Sequence, residues 1–226
     1  GFADRGEDFM KGIIFLGGHY LKNFFSELAK LIAVGTMLSV TLETAFADDS
    51  ADLRHKLHAV SAMSANFSAE VKNKDGTIAK SSGKMALKRP DRLLLHTLLP
   101  DETVLFTRGK DLCYYDPFVN QLSLFTASSA NSSPFLLLTD DSIQLWSRYV
   151  VKKVAGGYKV SPKKARDIVA MILLFKDDVI SSVSLEMKEG SVNTYTFTDV
   201  EFEVDDALFD VDIPDDAEID DERGAN

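Results

Sequence analysis

From Asn66 to Val204 apolar and polar residues alternate with a period of two, and turn-forming clusters interrupt the alternation every ten residues or so: "KDG" at 74–76, "RGK" at 108–110, "AGG" at 155–157, "KDD" at 176–178 and "KEG" at 188–190. A period of two puts successive side chains on opposite faces of a strand. Short strands joined by tight turns predict an antiparallel meander, and so a sandwich, a barrel or a strongly curved sheet. In "SVNTYTFTDVEFEV" Tyr195 and Phe197 share one phase while Val200, Phe202 and Val204 share the other. That change of phase predicts a bulge near Asp199. Upstream, "DDSADLRHKLHAV" spaces Leu53, Leu57 and Val60 at i, i+4 and i+7, which predicts one short amphipathic helix with Ser50 and acidic residues capping its start.

The meander breaks once, at 132–149. Ser133 followed by Pro134 suits a helix start, and Phe135, Leu136, Leu137 and Leu138 make that turn apolar on every side. A second cap at Asp140 or Asp141 is expected to open a helix carrying Ile143, Trp146 and Tyr149 at i, i+3 and i+6, with Leu145 beside them. A short helix that is apolar all round must be buried on several sides; between strands of a curved sheet it would plug the concave face. The stretch "KMALKRPDRLLLH", 84–96, sets Met85, Leu87 and Arg89 in one row, then makes both faces apolar with Leu93, Leu94 and Leu95. The acidic tail "DIPDDAEIDDERGAN" is expected to fray after Ile213.

Charge and address narrow the class. Lys11, Lys22 and Lys30 precede the twelve-residue apolar run "LIAVGTMLSVTL", and "AFA" at 45–47 ends it, the three regions of a secretory signal peptide. A membrane-spanning helix needs about 18 or more apolar residues. The expected organisation is therefore an N-terminal extension and signal peptide over 1–47 and a single secreted domain over 48–226. Without residues 1–47, which hold four Lys/Arg and five Asp/Glu, 21 basic and 30 acidic residues remain, a net charge near −9. Such a charge opposes adsorption to anionic headgroups and to nucleic acid. The single cysteine, Cys113, excludes an intramolecular disulfide and is expected to be a buried apolar thiol. The residue directly after Ala47 is Asp48, not cysteine, so lipid modification of a mature N-terminus is not expected.

Catalytic signatures are missing: the chain has no G-x-S-x-G elbow, H-E-x-x-H, P-loop or dinucleotide glycine pattern. His55 and His58 form a pair without a third ligand and are expected on a solvated face, and His96 is expected to be a structural or rim histidine. No enzyme, metal or cofactor is expected. A secreted, acidic, curved sheet with excess apolar surface and short greasy helices to cover it has the outline of a hydrophobic-ligand carrier.

The segment "KRPDRLLLHTLLPDETVLFTRGKDLCYYDPFVNQ", 88–121, resembles the core motif of the LolA family of periplasmic lipoprotein carriers, with its K/R-R-P start, P-D-E, G-K turn and Y-x-P-F-x-x-Q. "SPFLLL" and "VDIPDDAEIDDE" are similar to two further family segments. The resemblance implies a mainly β fold with a few short helices, an incomplete antiparallel β-barrel with a helical lid over an apolar cavity. It implies acylated lipoproteins as cargo, the inner-membrane transporter LolCDE as donor, the outer-membrane receptor LolB as acceptor, and a monomer in the periplasm. A LolB-like acceptor or another periplasmic lipid-binding half-barrel is the alternative. By position, Arg89 corresponds to an arginine that latches the lid, and Leu93, Leu95, Leu105 and Phe135 to cavity or lid side chains. Leu136, Leu137 and Trp146 complete the expected ligand-binding set. Leu93 and Leu95 stand where enterobacterial relatives carry aromatics and Cys113 where they carry Trp, from which a wider or more pliable cavity is expected.

Overall fold

The computed structural model describes residues 42–126 and 134–224, with side chains from Asp49 onward. Twelve strands form one sheet in the order β12-β6-β5-β4-β3-β2-β1-β11-β10-β9-β8-β7. The strands are β1 (Ala62–Lys72), β2 (Ile78–Lys88), β3 (Arg92–Leu99), β4 (Thr103–Arg108), β5 (Asp111–Asp116), β6 (Gln121–Thr126), β7 (Tyr149–Val154), β8 (Gly157–Pro162), β9 (Ile168–Lys176), β10 (Val179–Met187), β11 (Val192–Glu201) and β12 (Glu218–Asp221). Neighbours pair antiparallel except β12, which runs parallel to β6. The two end strands do not meet, so the sheet stays open.

The turn clusters do what their composition dictates. Gly76, Gly109, Gly156 and Gly190 all adopt positive φ, and Asp177 and Asp178, at φ 50° and 62°, form the two-residue connection between β9 and β10. The latter matches the handedness that two-residue hairpins require. The bulge expected near Asp199 is present: that residue has φ 53°, and between Asn66 and Ser64 the partner on β11 jumps from Thr198 to Glu201. Further register shifts, at Ser82/Gly83 in β2 and Ile180/Ser182 in β10, add local bends of the same kind.

The bends have a visible consequence. Eleven strands spaced about 4.8 Å apart would span about 50 Å if flat, yet Phe125 of β6 and Val151 of β7 belong to one hydrophobic cluster with side chains from every strand between them. The sheet must therefore curl around a shared core. That concave core is covered by α1 (Leu42–His58), by a 3-10 turn (Pro134–Leu138) and by the single-turn α2 (Ile143–Trp146). Leu53 and Leu57 point into it.

Both faces of the β2–β6 half are apolar because both are covered. Ala86, Leu94, Val104, Phe106, Cys113, Tyr115 and Leu122 form a second cluster on the convex side, packed against Val204, Phe209, Val211, Ile213 and Ala217 of the C-terminal segment. The alternate residues Leu93 and Leu95 face the concave core. Cys113 is fully buried on the convex side, so its replacement of a larger residue does not enlarge the concave space.

Three expectations on local structure are corrected. The first helix does not start at Ser50: it already runs through Leu42, the first described residue. "LETAFA" contains Leu, Glu and Ala, strong helix formers, and no Gly or Pro, so the helix propagates through it. The second lid helix is capped by Ser142, whose Oγ accepts from the Leu145 N–H, while Asp140 turns inward to accept from Ser142 N. The helix ends at Trp146, leaving Ile143 exposed and Tyr149 in β7. The tail does not fray after Ile213. It continues into β12, and two residues past its end Arg223 pairs with Asp111 at 2.8 Å and Asp221 at 2.6 Å. The signal-peptide charges, the apolar run up to its last residue Leu42, and Ser133 lie outside the described residues, while the expected cleavage point after Ala47 falls within α1.

Gly83 sits at a shifted register where β2 and β3 cross closely. A Cβ there would press on the His96 carbonyl and lie 2.8 Å from the Thr97 Cα. Gly83→Ala is expected to cost about 1–3 kcal/mol as overpacking, read as a thermal midpoint lowered by several degrees in circular dichroism.

Candidate functional site

The candidate site is the concave core itself. Pro134, Phe135, Leu136, Leu137 and Leu138 are all buried, as are Leu145 and Trp146. They share one cluster with Leu93 and Leu95 of β3, Leu105 of β4 and the inward residues of the other strands. Every residue expected to line the cavity or form its lid is thus brought to one place. Phe135 stands edge-on to the Tyr195 ring, centroids 5.2 Å apart at 90°, and Tyr195 in turn meets Phe67 at 5.5 Å. Aromatic edges meeting faces add about 0.5–1.5 kcal/mol per pair beyond burial.

Arg89 lies at the end of the Met85–Leu87 row, just past β2, and is half-buried. Its Nε donates to the carbonyls of Leu57 at 3.0 Å and Val60 at 3.2 Å, Nη1 to Thr139 O at 3.2 Å, and Nη2 to Leu138 O at 2.9 Å. One guanidinium therefore grips the carbonyl ends of two elements, α1 and the lid turn. Chain ends of helices present carbonyls without intrahelical partners, and a planar cation with fixed N–H directions can satisfy several at once. Burial lowers the Arg89 pKa, and the nearby Asp141 carboxylate opposes that shift; an arginine stays charged throughout.

The lid is tied to α1 by further polar contacts that sequence reasoning missed. Arg54 donates to Asp141 O at 2.8 Å and its guanidinium lies 5.7 Å from the Trp146 ring centroid. His58 Nδ1 is 2.7 Å from Asp141 Oδ2. His58 thus has a lid partner, although it remains largely exposed. The Trp146 indole N–H donates to Asp140 O at 2.7 Å. Only the i, i+4 placement of Arg54 and His58 on one side of α1 hinted at a shared partner. On its other side α1 is pinned by Asp52, which accepts from the Tyr158 hydroxyl at 2.5 Å and from Lys153 at 2.9 Å. His96, by contrast, pairs with Glu102 at 2.8 Å, away from the concave core.

Fold and site together define an open half-barrel whose apolar concave face is filled by its own cover. Residues 58–212 match the family described as "Outer membrane lipoprotein carrier protein LolA". Two relatives, each named "Outer-membrane lipoprotein carrier protein", come from Shewanella woodyi, 32% identical over 83% of this chain and 94% of the relative, and from Pasteurella multocida, 29% identical over 85% and 97%. Among solved structures, a LolA superfamily protein from Nitrosomonas europaea aligns with 74% of this chain and 98% of its own at 9% identity and a TM-score of 0.44. The chain belongs to the LolA family.

Arg89→Leu keeps an apolar stem but strips four carbonyls of their shared donor. With hydrogen bonds to charged groups contributing about 1.5–3 kcal/mol each, the lid amides from Leu136 to Trp146 are expected to exchange hydrogen at least about tenfold faster, while β1 and β11 stay protected. Hydrogen-exchange mass spectrometry checks this.

Proposed function

We propose that this protein is a non-enzymatic periplasmic carrier that takes acylated lipoproteins from the inner-membrane transporter LolCDE and delivers them to the outer-membrane receptor LolB, sheltering their acyl chains against the concave wall of Leu93, Leu95 and Leu105. The observation that carries the reading is the complete burial of the lid's own apolar side chains, Phe135 to Leu138, Leu145 and Trp146, where a ligand would go. The family and the names of the relatives support it. No helix among the described residues is long and apolar enough to cross a membrane, and the net charge of −10 disfavours anionic lipid surfaces. Processing after Ala47 would leave Asp49 and Ser50 in the first turn of α1.

The energetics explain why a cover that fills the hollow is useful. An acyl chain of about 16 carbons gains ~13 kcal/mol on burial, at ~0.8 per CH₂, so a hollow that stood open and dry would never release it. Six buried lid side chains are worth on the order of 10 kcal/mol at about 1.5–3 each. Loading then exchanges one apolar occupant for another, and Arg89's four bonds are given up on opening. Affinity is set by the difference between these terms, and a small difference permits release.

Phe135→Glu places a carboxylate in the apolar hollow, a change worth several kcal/mol. It is expected to leave secretion intact and to weaken binding of a fluorescent acyl probe by at least about tenfold; unchanged titration would remove Phe135 from the site. In a transfer assay with purified loaded carrier, Arg89→Leu is expected to retain its cargo in the presence of an acceptor that empties the wild type. Release as complete as wild type would reduce Arg89 to a packing residue.

A further inference from the structure

The concave core is not sealed evenly. A small crevice, with room for about one water molecule and partly open to solvent, lies between the C-terminal end of α1 and the β9–β10 hairpin. Its walls are Leu57 and Val60 from α1, Met63 of β1, Leu87 of β2, Leu138 of the lid turn and Ile180 of β10. All but Val60 are members of the concave cluster, and Val60 packs against it, so the crevice borders the side chains that fill the concave core. At its mouth stand Lys56, Asp178 and Phe175. Lys56 Nζ lies 2.6 Å from Asp178 Oδ1 and 5.5 Å from the Phe175 ring centroid, so one side chain from α1 reaches over to the hairpin.

Resting on the carrier reading above, we propose that this crevice is the portal through which a single hydrocarbon chain of the ligand passes into the hollow, and that the Lys56–Asp178 pair is its clasp. Three features favour this place. The walls are apolar and narrow, suited to a methylene chain and not to a polypeptide. Three wall residues, Leu57, Val60 and Leu138, are among the four whose carbonyls Arg89 holds. Release of that grip therefore frees both movable walls, α1 and the lid turn, at the point where the gap already exists. The clasp itself is weak: Asp178 is 87% exposed, and water and salt screen an exposed ion pair. A closure that must open for each cargo needs such a contact.

The test bridges the mouth. In Lys56→Cys/Asp178→Cys, a short bis-maleimide would join α1 to the hairpin. Cys113 does not compete, being fully buried with its thiol pushed up to about 11 by burial. Uptake of a fluorescent fatty-acyl probe is followed by stopped flow. The bridged protein is expected to load about tenfold more slowly or worse, with the unreacted double variant loading at least as fast as wild type. Equal rates for bridged and unreacted protein overturn the portal while leaving the carrier reading intact. No uptake by wild type overturns both. As an independent arm, Lys56→Glu, which sets two carboxylates against each other, is expected to speed uptake by up to about fivefold at low salt, the excess vanishing at high salt and in the charge-swapped Lys56→Glu/Asp178→Lys. A Lys56→Glu rate equal to wild type at low salt overturns the clasp.

Discussion

The end of α1, the lid turn and the sheet meet at one guanidinium. Arg89 joins three parts of the chain: the sheet, on which it sits, the end of α1 through Leu57 and Val60, and the lid through Leu138 and Thr139. Its position is fixed by sequence, at the end of the inward row begun by Met85 and Leu87. An apolar residue there would pack as well but could not satisfy four carbonyls at a helix end. A lysine would supply the charge without the planar fork that reaches two elements at once. Because the bonds are to backbone oxygens, the grip depends on the lid's conformation and not on its side-chain identity.

The sheet must be strong where the lid is weak, and the chain separates the two tasks by face. The lid meets only the concave side. On the convex side the C-terminal segment is packed permanently against Leu94, Phe106 and their neighbours. It is anchored there by Arg92 and Lys88 to Asp206, by the Arg92 guanidinium 5.3 Å from the Phe209 ring centroid, and by β12. Phe67 and Tyr195 complete the division: they are wall residues, yet their rings continue directly into Phe135 of the lid. Opening the hollow therefore need not disturb the convex packing that holds the strands in register.

Much of this was legible in the residues because it is local. Gly76, Gly109, Gly156, Gly190 and the Asp177–Asp178 pair mark their turns since few other residues tolerate positive φ. Phe135 to Leu138 announce burial because no face of the turn is polar, and Arg89 announces a partner because a cation ends an apolar row. What escaped notice depends on contacts distant in sequence. Nothing near Ile219 signals that its strand will lie parallel to β6, and the acidity of the tail conceals that Arg223 neutralises it against Asp111. The choice of Ser142 over Asp140 or Asp141 as cap is settled only when Asp140 O is claimed by the Trp146 indole and Asp141 by Arg54 and His58. Leu94 looked like one member of a greasy run; its role on the opposite face emerged only with the segment that covers it.

Trp146 is the chain's single tryptophan, it is buried with its indole N–H bonded to Asp140 O, and it belongs to the lid. Its fluorescence therefore reports lid position without labelling. If acyl chains enter by displacing the lid, titration of the full-length protein with a non-fluorescent acylated lipopeptide must shift Trp146 emission to the red, saturating with the same midpoint as binding measured by calorimetry. Saturated binding with Trp146 emission unmoved from its buried position would mean that lid and ligand do not compete for the hollow, and would contradict the account.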